Sequence, residues 1–271
     1  MWCQARTDAY TPRHMGRRAL VLILAAAATV VGTVAVLALP RERPPAQGGG
    51  LPPAGSIPPS LPIEQLYGLV RDGGGEARSY GEAVAISAAI AGEVVLPSGE
   101  LVASDGMILD ADPFTLTVQP GRYPVSLLVA DFPGSGDHRV AAALVRVADG
   151  EPVGWQLALV DGQDASTLGP DEIFGYGVDS GSGAFTSPEA VAMLADEAAY
   201  ERYSSAAFEA MFPDEQTIMD SAAVNVDPAT GVNVVTFSSG FGDGVYATYA
   251  GLDPTGDPLV FLTDFGVLDA D

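Results

Sequence analysis

No lysine occurs in this chain of 271 residues, cysteine occurs once, at Cys3, and histidine occurs twice. Each shortage removes a class of chemistry. Without lysine there is no Gly-x-x-x-x-Gly-Lys loop to cradle phosphates. Everything downstream of Cys3 stands without a disulfide and must rely on its own apolar core, which about 200 residues can supply. Beyond residue 40 the only histidine is His138, so a zinc site, which needs several His or Cys ligands, is excluded there. A Ser-His-Asp relay would have to use His138. Yet no Gly-x-Ser-x-Gly elbow occurs, and Gly136-Asp137-His138-Arg139 reads as a polar loop before a strand.

Positive charge is the other shortage. Arginine supplies all 12 basic residues against 35 acidic ones, a formal net charge of −23. Beyond residue 40, 8 arginines face 34 acidic residues, a net of −26. Such a field repels phosphate backbones, so nucleic acid is not a partner. It equally disfavours anionic lipid headgroups.

The apolar residues, 48% of the chain, include one long block: in residues 19–39, 18 of 21 are Ala, Val, Leu or Ile, only Thr29, Gly32 and Thr33 interrupt it, and none is charged. As a helix rising about 1.5 Å per residue, this block matches a hydrocarbon core about 30 Å thick. Arg6, Arg13, Arg17 and Arg18 precede it with only Asp8 against them, which orients the N-terminus inward. The expectation is a single-pass cell-membrane protein: a cytoplasmic basic tail (1–18), a transmembrane helix (19–39), a linker (40–62) and an acidic extracytoplasmic domain (63–271). A cleaved signal peptide is the alternative, since Val36 and Ala38 offer a small-residue site. The run is longer than the 7–15 residues of a signal core, which favours retention. Either outcome places residue 40 onward outside the cytoplasm. The linker carries eight prolines and four glycines in 23 residues and reads as an extended spacer without a fold of its own.

From Ile63 short β-rich runs alternate with turn residues, the pattern of an antiparallel, hairpin-rich sheet or sandwich. The fold class is mainly β (α+β), with one or two short helices. Four hairpins are expected, turning at Pro97–Glu100, Asp149-Gly150, Asp227–Gly231 and Asp253–Gly256. Tyr123–Phe132 is a strand between the first two. Ile63–Val70 is a short helix. Ser187–Phe212 is a longer one, with Ser187 as N-cap, Pro188 at the first helical position, a sheet-facing stripe of Val191, Leu194, Ala195 and Ala198, and a break within Tyr200–Ser205.

Carboxylates and glycine-rich loops are what remain for function. The loop residues Ser238, Ser239, Gly240, Gly242, Asp243 and Gly244, with Tyr246 after them, are the candidate ligand-binding loop, because its glycines let a ligand approach exposed backbone amides. Asp105, Asp179 and Asp264 sit with Asp243 at strand ends as a candidate acidic cluster. Calcium, which takes 6–8 oxygens, is the one cation this leaves open; no other cofactor is expected. Val178-Asp179-Ser180-Gly181-Ser182 is like the Asp-Ser/Thr-Gly turn of aspartic proteases, but no second copy exists to share a proton.

Several blocks resemble one bacterial family. Pro97-Ser98-Gly99 with Ala103-Ser104-Asp105, Pro120-Gly121-Arg122-Tyr123-Pro124-Val125 and Phe174-Gly175-Tyr176-Gly177-Val178-Asp179 are similar to domain of unknown function 4241. So are the stretch from Phe237 to Tyr246 and Leu262-Thr263-Asp264-Phe265, over about residues 92–264. The resemblance implies a shared fold and no activity. It also implies two departures, Phe241 and Ala250 standing where tryptophan is usual. Two functions follow as expectations: a membrane-held extracytoplasmic module that binds a protein or envelope partner, or a carboxylate-dependent hydrolase of an envelope polymer.

Overall fold

The computed structural model describes residues 61–270 apart from 170, 171 and 215, together with the pair Gly55–Ser56. The basic tail, the apolar run 19–39 and most of the linker lie outside these residues. Among the described residues no helix is long and apolar enough to cross a membrane.

In chain order the described strands are β1 (Gly55–Ser56), β2 (Gly74–Ser79), β3 (Glu82–Leu96), β4 (Val102–Asp105), β5 (Gly121–Phe132), β6 (Asp137–Arg146), β7 (Gly154–Leu157), β8 (Glu172–Ile173), β9 (Tyr176–Val178) and β10 (Ser182–Thr186). They continue with β11 (Ser221–Asp227), β12 (Val232–Ser238), β13 (Gly244–Tyr246), β14 (Thr248–Leu252) and β15 (Pro258–Asp264). The helices are α1 (Ile63–Arg71), α2 (Pro188–Met193) and α3 (Glu197–Met211). A seven-stranded sheet runs β2-β3-β5-β6-β15-β14-β7 and a four-stranded sheet runs β11-β12-β10-β4, with β13-β9 and β1-β8 as small pairs. Pairing among these strands is antiparallel throughout, so the mainly β, antiparallel reading holds.

The period of two in a strand sends alternate side chains to opposite faces. β12 shows why the fold has layers. Val232 and Val234 face a core shared with Ala190 and Leu194 of the α2 segment and Tyr203, Ala207 and Met211 of α3. Val235 and Phe237 face the other core, with Val94 and Leu96 of β3 and Leu127 of β5. Helices, four-stranded sheet and seven-stranded sheet are therefore stacked, with β12 buried on both sides. Each large apolar side chain so buried contributes about 1.5–3 kcal/mol. Asn233, pointing into the inter-sheet core, would be costly without partners. It spans the two sheets instead, accepting from Val95 N (2.9 Å) and donating to Glu93 O (2.7 Å).

Of the four expected hairpins, β11–β12 and β14–β15 form, with their turns at Asp227–Gly231 and Asp253–Gly256. The other two turns exist without the pairing. After Pro97–Glu100 the chain leaves the large sheet, and β4 pairs with β10, because both edges of β3 are taken by β2 and β5. After Asp149-Gly150, β7 pairs with β14, because β6 is already flanked by β5 and β15. The strand Tyr123–Phe132 lies within β5 as expected.

Ser187 caps α2 through its hydroxyl (Ala190 N, 3.3 Å), with Pro188 and Glu189 following as the sequence suggested. The helix breaks earlier than expected. Leu194 ends α2 and Asp196 starts α3, accepting from Ala199 N (2.9 Å), while Tyr200–Ser205 is continuous helix. With this reset the buried stripe becomes Ala190, Leu194, Tyr203, Ala207 and Met211; Ala195 and Ala198 are exposed. The linker, expected to lack structure, contributes Gly55–Ser56 as a short strand beside Ile173 and Glu172. Its last residues belong to the domain: Leu61 is buried, and its N–H donates to Leu268 O (3.0 Å).

Candidate functional site

Three stretches meet where the small β13-β9 pair joins the four-stranded sheet: the end of β4, the turn after β9 and the loop after β12. Asp105 ends β4 at 2% exposure. A bare carboxylate there would cost several kcal/mol, so its partners decide its role. Oδ1 accepts from Met107 N (2.7 Å), Ile108 N (3.0 Å) and the Ser180 hydroxyl (2.8 Å). Oδ2 accepts from Asp179 N (2.8 Å) and Ser180 N (2.9 Å). The Ser180 hydroxyl also pairs with that of Ser182 (2.8 Å). Asp105 is thus a staple that pins the Val178–Ser182 turn to β4, with its lone pairs occupied by the chain.

The next residues are clamped too. Tyr203 of α3 donates its hydroxyl to Gly106 O, and Tyr200 donates to Met107 O (2.7 Å). Burial first, and the charge of Asp105 after it, raises the pKa of Tyr200; Tyr203 is raised by burial, with Tyr200 and Asp105 adding to it. Gly106 admits no side chain: a Cβ would lie 2.4 Å from Thr236 Oγ1 and 2.7 Å from Ser182 Oγ.

The candidate loop packs on this staple and bonds mostly to itself. Ser239 is fully buried; its N–H donates to Gly181 O (3.2 Å) and its hydroxyl to Gly242 O (2.9 Å). Gly242 N donates back to Ser239 O (2.9 Å), and the Tyr246 hydroxyl reaches both Gly242 O (2.7 Å) and Ser239 O (3.2 Å). Gly240 and Gly242 take φ of 59° and 112°, as a tight loop requires. Gly244 pairs with Val178 in the β13-β9 ladder, and Ser238 with Ser182. Asp243 is exposed, and it raises the pKa of Tyr246 after burial has done so. The loop's amides and hydroxyls mainly hold the loop. Its side chains are what it offers outward.

The acidic cluster is not assembled as the sequence suggested. Asp105 meets Asp179 only at the Asp179 backbone N–H, while the Asp179 side chain is exposed. Asp264 ends β15, accepts from Gly266 N (2.8 Å) and, after burial, raises the pKa of Tyr249. Among the described residues no three of His, Cys, Asp or Glu form a group that holds a metal ion. His138 pairs with Asp220 (3.1 Å) at the surface.

The residues that carried the family resemblance pack on one another. Asp105 pairs with Gly183 and Gly183 with Phe237; Tyr246 pairs with Tyr176. Phe265 meets Tyr246 edge-on at 5.0 Å and Phe237 at a tilt at 6.0 Å. The family model described as protein of unknown function (DUF4241) matches residues 94–263, more than half of the chain. The chain belongs to the DUF4241 family. No curated protein and no solved structure matches it. In this DUF4241 chain the signature is accordingly a folding unit. Tyr176 within it is so buried that its pKa is driven far up, and its hydroxyl has no partner in hydrogen-bond geometry, Thr263 being held by Thr248 (2.7 Å).

One member of the DUF4241 signature points outward. Phe241, 48% exposed, leaves the loop and meets Tyr80 of the β2–β3 turn edge-on at 5.3 Å and Phe132, the last residue of β5, at 6.3 Å. The Arg139 guanidinium lies 5.6 Å from the Phe241 ring centre and is itself bonded to Asp137 (2.6 Å). A turn, a strand end and a loop thus bring one ring each to a common platform. Sequence reasoning singled out Phe241 only as a departure from the family pattern and missed Tyr80, Phe132 and Arg139, which lie 161, 109 and 102 positions before it. The available signal was Tyr80-Gly81, a bulky aromatic in a turn where polar residues are usual. A separate groove of about 480 Å³ lies between α1 and the β2–β3 hairpin, lined by Leu61, Leu69, Ala77 and Arg78 among others.

Proposed function

We propose that the domain from residue 61 onward is an interaction module and not an enzyme, held outside the cytoplasm by a membrane helix at residues 19–39. The face bearing Ser238–Tyr246 is its binding face. The observation that carries this reading is the exposed pair Tyr80 and Phe241, with the half-buried Phe132 beside them: aromatic rings left in water are the usual anchors of recognition surfaces. Support comes also from Asp105. It is the one acidic side chain in the buried class among the described residues, and five hydrogen bonds from the chain itself occupy both its oxygens. The address is supported by the uncharged apolar run and the arginines before it.

Proximity crosslinking of the full chain in living cells tests the reading. A defined set of envelope or secreted partners is expected with the wild type and is lost with Phe241→Ser. Identical partners for both would remove the proposal. A hydrolytic activity of the purified full chain, abolished by Asp243→Asn, would replace it with the hydrolase of an envelope polymer.

A further inference from the structure

We infer that the aromatic platform binds uncharged sugar rings and that Tyr80 is its stacking residue; this rests on the reading of the loop end as a binding face. Tyr80 and Gly81 form the two-residue turn between β2 and β3, closed by the Ser79–Glu82 pair, with φ of 48° and 79°. Positive φ at both central residues suits Asn-Gly, Asp-Gly or Gly-Gly. A tyrosine there suffers contact between its Cβ and backbone carbonyl, and strain of this kind gathers at functional sites. Burial does not compensate, because Tyr80 is 79% exposed.

The turn is nevertheless held firmly. Ser79 Oγ donates to Val267 O (2.6 Å), Gly81 N donates to Asp269 Oδ2 (2.8 Å), and the Arg78 guanidinium donates to Gly81 O. The ring is therefore presented in place, and a ligand need not order it. The charged groups around it are already engaged: Arg139 with Asp137 (2.6 Å), Glu82 with Gly134 N (3.0 Å), His138 with Asp220 (3.1 Å). What is left for recognition is ring surface and the spare carboxylate lone pairs of Glu82 and Asp137. An anionic ligand meets the negative field of the domain. A pyranose matches instead: its C–H face covers a ring, and its hydroxyls donate to carboxylates.

The test is binding of the full chain, in detergent micelles, to a panel of immobilised uncharged hexasaccharides (cellohexaose, maltohexaose, hexa-N-acetylchitohexaose), with hexagalacturonate as the charged control. At least one uncharged sugar is expected to bind and the control not. Tyr80→Asn and Phe241→Ala each weaken binding at least about tenfold, while Tyr80→Trp retains it. Tyr80→Asn also raises the Tm by a few degrees, since Asn-Gly suits the turn, so its loss of binding is not unfolding. Absence of binding to every uncharged sugar, or full binding by Tyr80→Asn, overturns the inference. If Tyr80→Asn loses its crosslinked partners while no sugar binds, the binding-face reading survives and the sugar does not.

Discussion

At the scale of single residues the most consequential group is Asp105, whose five hydrogen bonds make it a staple. Asp105→Ala leaves the Met107, Ile108, Asp179 and Ser180 amides without their acceptor in a buried site. At about 1–3 kcal/mol per orphaned group, partly relieved by water, a loss of about 3–5 kcal/mol is expected. Asp105→Asn keeps one oxygen but turns an amide nitrogen toward two donors, so it should lie close to alanine and not to wild type. Urea unfolding of both variants, read at constant m-value, decides this; an asparagine variant as stable as wild type would mean the charge and second oxygen do nothing. The sequence marked Asp105 as a strand-end acid, which was correct. It could not mark it as satisfied, because the turn that satisfies it lies 74 positions on. Phe241 shows the opposite case, legible as a departure from the family pattern while the rings beside it were not.

At the scale of elements, the turn chemistry was legible and the pairing only partly so. Asp227–Gly231 and Asp253–Gly256 reverse the chain between strands that are neighbours in their sheet, so local chemistry and sheet order agree. At Pro97–Glu100 and Asp149-Gly150 the turns are as good, but one flanking strand has both edges occupied, and non-local pairing wins. The helix break was misplaced because the cap at Asp196 is one of two adjacent acids set among alanines, a stretch compatible with a continuous helix. The two true hairpins also carry a pH dependence. Asp227 is held below the ordinary aspartate range by the Thr230 hydroxyl and then the Ala229 amide, and Asp253 by the Thr255 hydroxyl and then the Asp257 amide. A carboxylate whose pKa is depressed on folding adds stability above its unfolded value, about 3.9, and loses it as the pH falls through the folded value. Thermal melts followed by circular dichroism should therefore be level from pH 7 to about 4 and decline below. The double variant Asp227→Asn, Asp253→Asn should start lower at neutral pH and decline less. An equal decline in both would place the acid sensitivity elsewhere.

At the scale of the whole molecule, the balance of charge sets the response to salt. The chain carries a net −23 with no lysine, and the described arginine ion pairs are surface ones: Arg71 with Asp72 and Glu151, and Arg139 with Asp137. Screening weakens these pairs, each worth at most about 1 kcal/mol, and also weakens the repulsion among the many unpaired acids. Repulsion is the larger sum here, because attractive partners are few. Raising NaCl from 10 mM to 500 mM should therefore raise the Tm, where a protein of balanced charge would change little or lose stability. Calcium separates screening from binding. A specific site with free ligand at 100 times its Kd adds about 2.7 kcal/mol, whatever the ionic strength. The strand-end aspartates do not converge, Asp105 being occupied by amides and Asp179 and Asp243 facing solvent. Calcium and magnesium chloride at one ionic strength should then shift the Tm equally. A shift several degrees larger with calcium would require oxygen ligands to gather from these turns.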